Sequence, residues 1–340
     1  MECIRTAFGG MKGLIILSFS VVALVGCFST GDESAPGPTQ PVEISFCQGG
    51  VITLLPLIAQ SQGFFEKRGI TSRMIMKQDG KLALQALLLE ECSFGICGEP
   101  PLVTGSFTRQ DFVVLASINL SDNATKILAR RDLGITTAND LKGKRIGVRN
   151  GTLSHFFMDL YLKEKGISQH EVTLVFMEPG LMPDALVQGE IAAYSASDEL
   201  VIKGSALLGE RGVLLSEPGL CLNSINLVAG KEYVNAHPQT VRKVLGALLQ
   251  AEEYYLRHPG PTLDDVRKQK GISRAELEAA LKGQTHSVRL QESLLLTLED
   301  HARWMIDNKI VAGTALPNFL KIIDPAPLKD LKPSVVTIIR

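Results

Sequence analysis

From Val42 onward, short β-type runs alternate with helical patterns, and the whole alternation then occurs a second time. The run Val42–Cys47 reads as a strand, and Arg73–Lys77 and Phe94–Cys97 follow it, with helical segments at 54–59 and 81–89 between them. Downstream, the strands Lys144–Val148, Val172–Met177 and Ile191–Ser195 alternate with helices from Ser154 and from Pro183. Two pairs of segments match: EKRGI at 66–70 with KEKGI at 163–167, and LALQALLLEECSFGI with MPDALVQGEIAAYSA. Alternating strand and helix implies parallel pairing through right-handed crossovers. The expected fold is therefore α/β, with two lobes that each hold a mostly parallel sheet flanked by helices and a ligand cleft between them.

The segment Val113–Arg130 is expected to leave the first lobe and enter the second, and Ile225–Ala229 to return. Lobe 1 then comprises 42–125 and 228–340, and lobe 2 comprises 126–227. The remainder reads as helices at 238–256, 273–281 and 291–308. Starts are signalled at Thr262 and at Ser273, where Glu276 three residues on completes a capping-box pattern.

Ahead of this body, MKGLIILSFSVVALVGC at 11–27 places Lys12 before an apolar run that is too short to span a bilayer and suits a signal peptide. Leu24-Val25-Gly26-Cys27 resembles the bacterial lipobox, in which cleavage exposes a cysteine that receives lipid. Residues 1–26 are thus expected to be a lipoprotein signal peptide, with Met1 or Met11 as the start. Residues 27–41, rich in Ser, Gly and Pro, read as a flexible tether. The chain is expected to be exported and lipid-anchored at Cys27, facing the periplasm or the cell exterior. A net charge of −1 and a single Trp offer no basic field or stacking platform for nucleic acid. Cys47, Cys92, Cys97 and Cys221 form no CxxC, and no Cys/His spacing suits zinc, so neither a metal nor a cofactor is expected. Cys47 and Cys97 end neighbouring strands, where a disulfide, a soft-metal pair or two inert thiols are open, inert thiols being favoured.

The series QGFFEKRGI, FGICGEPPL, DLGITTANDLKGKRIGV, GT-SH and ALVQGEIAA resembles the nitrate/sulfonate/taurine-type solute-binding proteins of ABC importers, with thiamine-pyrimidine-precursor binders among their relatives. The resemblance runs from Val42 to about Leu320. It implies a type II periplasmic-binding fold that closes around one small polar molecule and, as a monomer, delivers it to an ABC permease and its ATPase. Many relatives carry an aromatic- or Arg-containing EP motif where this chain reads Tyr194-Ser195-Ala196-Ser197-Asp198-Glu199, so ligand identity does not transfer.

Ligands in parallel α/β lobes sit beyond the C-terminal strand ends. Four such places supply the candidate ligand contacts: Gln48, Gly49 and Gly50; Gly98 and Glu99; Gly151, Thr152, Ser154 and His155; and Glu178 with Ser197 and Asp198. Glycines admit a close approach, and a helix start with free N–H groups and hydroxyls suits an anionic or polar group. The competing readings are turn geometry for each glycine, helix capping for Thr152, Ser154 and Glu99, and a solvated helix start for the acids. Ser154 and His155, as helix neighbours, diverge and form no catalytic pair. Glu99, Glu178 and Asp198 face only Arg149 and His155 as cations, which favours an amine or aminopyrimidine over a bare oxyanion. No activated nucleophile or phosphate-cradling loop stands out, so a non-enzyme is expected. The alternatives are an enzyme on the same fold, of pyrimidine-synthesis or dehydratase type, or a sensor without transport.

Overall fold

The first strand, β1 (Val42–Gly49), is buried over its last six residues because it lies between two parallel neighbours. A computed structural model describes residues 41–49 and 53–338; Cys27, its leader and tether, and Gly50 lie outside them. After β1 come α1 (Leu54–Ser61), β2 (Ile70–Lys77), α2 (Gly80–Leu88), β3 (Phe94–Cys97), α3 (Glu99–Ser106) and β4 (Phe112–Ser121). The chain continues with β5 (Thr125–Arg130), β6 (Arg145–Val148), α4 (Leu153–Glu164), β7 (Thr173–Phe176), α5 (Met182–Gln188), β8 (Ala193–Ser197), α6 (Asp198–Leu208) and β9 (Gly212–Leu215). It then forms β10 (Asn223–Gly230), α7 (Lys231–Ala236), α8 (Pro238–Arg257), α9 (Pro259–Lys270) and α10 (Arg274–Leu281). The last elements are β11 (Gln284–Thr285), α11 (Glu292–Asp307) and α12 (Ala326–Leu331).

These strands make two sheets, ordered β11-β4-β10-β3-β1-β2 and β7-β6-β8-β5-β9. In each, a parallel trio carries the alternating pattern: β2-β1-β3 in one and β7-β6-β8 in the other. The rest departs from simple parallel pairing. β10 runs antiparallel to both β3 and β4, and β5 runs antiparallel to both β8 and β9. The fold is α/β with two mixed sheets. β10 joins the first sheet from Asn223 onward, so the strand begins ahead of the expected boundary at 227/228.

The repeated EKRGI/KEKGI pentapeptides build the same turn. Gly69 and Gly166 both have φ of +69°, the left-handed conformation that glycine adopts without a Cβ penalty. Each donates to the carbonyl three residues back, Glu66 and Lys163, while the following isoleucine donates five back, to Phe65 and Leu162. Such a helix stop satisfies terminal carbonyls that would otherwise go unpaired.

Around the first sheet, α1 packs on α8 and α3 on α11. The core is apolar and aromatic, with Phe46 tilted against Phe65 and stacked on Phe94 at centroid distances of 5.6 and 5.4 Å. α9 begins at Pro259, ahead of the Thr262 start that the sequence signalled. Proline at the first helical position leaves no extra N–H unsatisfied, and Thr262 sits inside the helix with its hydroxyl on the His258 carbonyl. The Glu276 side chain expected to complete the capping box with Ser273 lies outside the described residues. Cys47, Cys92, Cys97 and Cys221 are free buried thiols. β1 and β3 are neighbours, as the placement of Cys47 and Cys97 requires, and Cys47 also has Cys92 against it, while Cys97 packs beneath Gly80. Among the described residues, no helix is long and apolar enough to cross a membrane.

Candidate ligand site

Residues just beyond the C-terminal ends of β2, β6 and β7 meet at Arg149, which follows β6. Its Nη2 lies 2.9 Å from Oδ2 of Asp79, beyond β2, and its Nη1 lies 3.2 Å from Oε2 of Glu178, beyond β7. Asp79 is held by a second duty, since its Oδ1 caps α2 through the Leu82 N–H at 2.9 Å. Glu178 is therefore the outer partner of an ion-pair relay, two-thirds exposed, and its position is set by Arg149.

The β6–α4 loop turns at Gly151, whose φ is +71° and where a Cβ would stand 3.0 Å from Ile310. Thr152 precedes the helix in extended conformation and makes no side-chain cap bond. Its hydroxyl closes the turn on the Arg149 carbonyl at 2.8 Å and lies 2.9 Å from the Ser154 hydroxyl. Capping, the competing reading for Thr152, is thus not what its hydroxyl does. His155 goes elsewhere. Its ring is buried against Trp304 of α11 (4.9 Å, edge-on) and Phe176 (5.3 Å). Its Nδ1 accepts from the Gly151 N–H at 3.4 Å, and its Nε2 lies 3.8 Å from Asp159. Burial, opposed by the Asp159 charge, lowers its pKa. The same Asp159 oxygen accepts from Trp304 Nε1 at 2.7 Å.

The remaining candidates separate. Gly49 needs to be glycine because a Cβ would come within 2.5 Å of the Asp79 backbone; one strand-end loop packs on the next. Gln48 is fully buried beside it. Gly98 precedes α3 in extended conformation, with the Ser224 carbonyl at an ordinary 3.6 Å from a Cβ position. Glu99 turns into the first sheet. Its carboxylate is 1% exposed and accepts from the Ser224 N–H, from the Ser224 hydroxyl at 2.6 Å and from Asn223 Nδ2 at 3.2 Å. Burial outweighs those bonds and pushes its pKa up to about 7. It borders a cavity of about 10 Å³ with Ser117, Arg289 and Thr297, room for about one water.

Asp198, the first residue of α6, bonds to Lys126 of β5, whose ammonium also donates to the Asn123 carbonyl at 2.9 Å. The structure corrects the charges expected from sequence: Lys126, not counted there, pairs with Asp198, and Arg149 is shared between Glu178 and Asp79. Each of these acids has a cation beside it, although together they keep one negative charge more than the two cations. Ser197 precedes α6 and, like Thr152, makes no cap bond.

Sequence reasoning missed two hydroxyls. Thr53, ahead of α1, and Ser195, on β8, are 1% and 0% exposed, and their oxygens have no partner among the described residues. Thr53 also makes no cap bond to its helix. A threonine before an apolar helical run is a readable start signal, yet the unpaired state of its oxygen is not readable from sequence. Lys126 and Trp304 carried no local signal, since their partners lie 72 and 145 residues away.

Comparison with known proteins places this geometry. The profile of the family described as NMT1/THI5 like matches residues 54–261. The chain is 28% identical over 286 residues to the putative aliphatic sulfonates-binding protein of Bacillus subtilis (strain 168), covering 80% of this chain and 82% of that one. Among solved structures, it resembles the alkanesulfonate-binding protein SsuA from Xanthomonas axonopodis pv. citri bound to MOPS. That match has a TM-score of 0.70 at 20% identity and covers 85% of this chain and 100% of that one. The desulfurization enzyme DSZB shares the fold at a TM-score of 0.61 and 17% identity, over 85% of this chain and 98% of that one, so the fold by itself is not peculiar to binding proteins.

Proposed function

Because the chain belongs to the NMT1/THI5-like family, we propose that it is the exported solute-binding component of an ABC importer, taking up a small organic anion of the sulfonate class. The observation that carries this reading is a set of unspent donors. Three helices, α1, α4 and α6, begin beside parallel strand ends with residues that make no side-chain cap bond: Thr53, Thr152 and Ser197. Two hydroxyls, of Thr53 and Ser195, are buried without partners among the described residues. Helix N-termini present backbone N–H groups and a partial positive charge to anions, and a buried hydroxyl without a partner costs free energy until something bonds to it. Pairing of Asp198 with Lys126, and of Glu178 and Asp79 with Arg149, lessens the repulsion that these acids would exert on an anion.

On this reading the division into two bodies follows the sheets, and the cleft between them closes on the ligand. Gln48, Thr152, Ser154 and Ser197 line it, and Gly49, Gly98 and Gly151 shape its loops. Glu99, His155, Glu178 and Asp198 act from behind that surface. Cys27 carries the lipid that keeps the protein at the membrane beside its permease, and the chain works as a monomer.

Calorimetric titration of the purified chain with ethanesulfonate, hexanesulfonate, taurine, sulfate and an aminopyrimidine tests the assignment. Saturable heat with the sulfonates, and recovery of the compound unaltered by mass spectrometry, is the expected result. Binding of the aminopyrimidine alone would replace the ligand class. Conversion of a sulfonate or sulfinate to sulfite would replace the binding reading with an enzymatic one.

A further inference from the structure

α4 begins beside β6 of the second sheet and α11 packs on α3 of the first, so contacts between α4 and α11 join the two bodies. The seam is aromatic and buried. His155 meets Trp304 edge-on at 4.9 Å, Phe156 meets Trp304 at 5.2 Å, and Phe156 meets His301 at 4.2 Å. One buried hydrogen bond crosses it, from Trp304 Nε1 to Asp159 Oδ2 at 2.7 Å. Within this seam His301 is 0% exposed, and neither ring nitrogen has a partner among the described residues.

We propose that the α4–α11 seam is an acid-released latch on the cleft between the sheets, with the His301 imidazole as its trigger. The inference rests on reading that cleft as one that opens and closes. A neutral imidazole tolerates this apolar position, at the expense of an unsatisfied N–H; an imidazolium has two donors, and neither has an acceptor among the described residues in this arrangement. Swinging α4 away removes Phe156 from the ring and admits water, so protonation favours the open arrangement.

The groups that face the seam are few. α4 supplies His155 and Asp159; Asp159 Oδ2 is engaged by Trp304, and its Oδ1 is buried with no partner among the described residues. From α3 the titratable side chain is Glu99, bonded to Ser224 and Asn223, and from the short helix Phe319–Ile322 it is the exposed Lys321. On α11 itself Arg303 pairs with Glu299 and Asp300 on the outer side. Burial pushes the His301 pKa down to about 4, from an ordinary 6.5. The closed form therefore binds fewer protons than the open form between about pH 6.5 and 4. Closure weakens as pH falls through that window, by about tenfold per pH unit, and the loss levels off below about 4.

Trp304 is the one tryptophan in the chain and lies in the seam, so intrinsic fluorescence reads the latch directly and needs no ligand. Between pH 7 and 4.5 the emission should shift to the red and become accessible to acrylamide, with unchanged far-ultraviolet circular dichroism. His301→Leu should hold the pH 7 spectrum across the window, and His301→Gln serves if the leucine variant does not fold. The same acid shift in wild type and variant, or simultaneous loss of the dichroism signal, would overturn the proposal. Hexanesulfonate affinity measured alongside separates the two readings. If it binds, its Kd should rise with acidity in wild type and stay flat in the variant; if it does not, the sulfonate reading falls and the fluorescence result still decides the latch.

Discussion

At the residue scale, Glu99 and Lys126 behave as structural charges whose surroundings set their properties. Glu99 has a folded pKa of about 7 against an ordinary 4.5, so the folded state binds the extra proton between those values. Its contribution to stability is complete below about pH 4.5 and is lost as pH rises through 7. Glu99→Gln keeps an acceptor for Ser224 and removes the titration. Urea unfolding from pH 5 to 8 should show wild type losing up to about 3 kcal/mol that the variant retains; parallel curves would refute it. Lys126→Met should destabilise by about 1–3 kcal/mol, because Asp198 is then left largely buried and alone. Adding Asp198→Asn should recover most of the loss in the same assay.

Elements show where local pattern suffices and where it does not. The parallel trios were legible because period-2 apolar runs, glycine stops and amphipathic helices are all written within about ten residues of one another. The reversed strands β10 and β5 were not, since their partners are distant: Asn226 pairs with Cys97, and Lys126 with Ala196. For the same reason the strand-end loops could be marked as candidate contacts while their partners could not. Arg149 finds Asp79 70 residues away, and His155 is drawn into a seam by a helix that begins near residue 292. Gly49 illustrates a pattern read correctly as a close approach whose occupant was hidden; it is the next loop. Gly49→Ala should push the Asp79–Gly80 backbone aside and lower stability by about 2 kcal/mol or more, seen as a fall in melting temperature. A variant that melts like wild type would mean that the two loops yield freely.

For the whole molecule, location and assembly decide the biology. If the lipid reading is right, Cys27→Ser should move the protein from the membrane fraction to the soluble exported fraction and abolish palmitate labelling, with ligand binding unchanged. Continued membrane association of that variant would point to another mode of attachment. The proposal of a leader rests on sequence alone: the charge, the apolar run and the small residue before the cysteine.

The pairing of β4 with β10 has a further consequence. Ser121 and Asn223 stand directly opposite each other, so the chain leaves the first sheet and re-enters it about 5 Å away. Everything from 122 to 222 is then topologically a guest, spliced into a host that already has its own ends in register. A two-residue hairpin turn joining Ser121 to Asn223 would excise that guest. The same junction is a ready socket into which a foreign domain with neighbouring termini can be grafted.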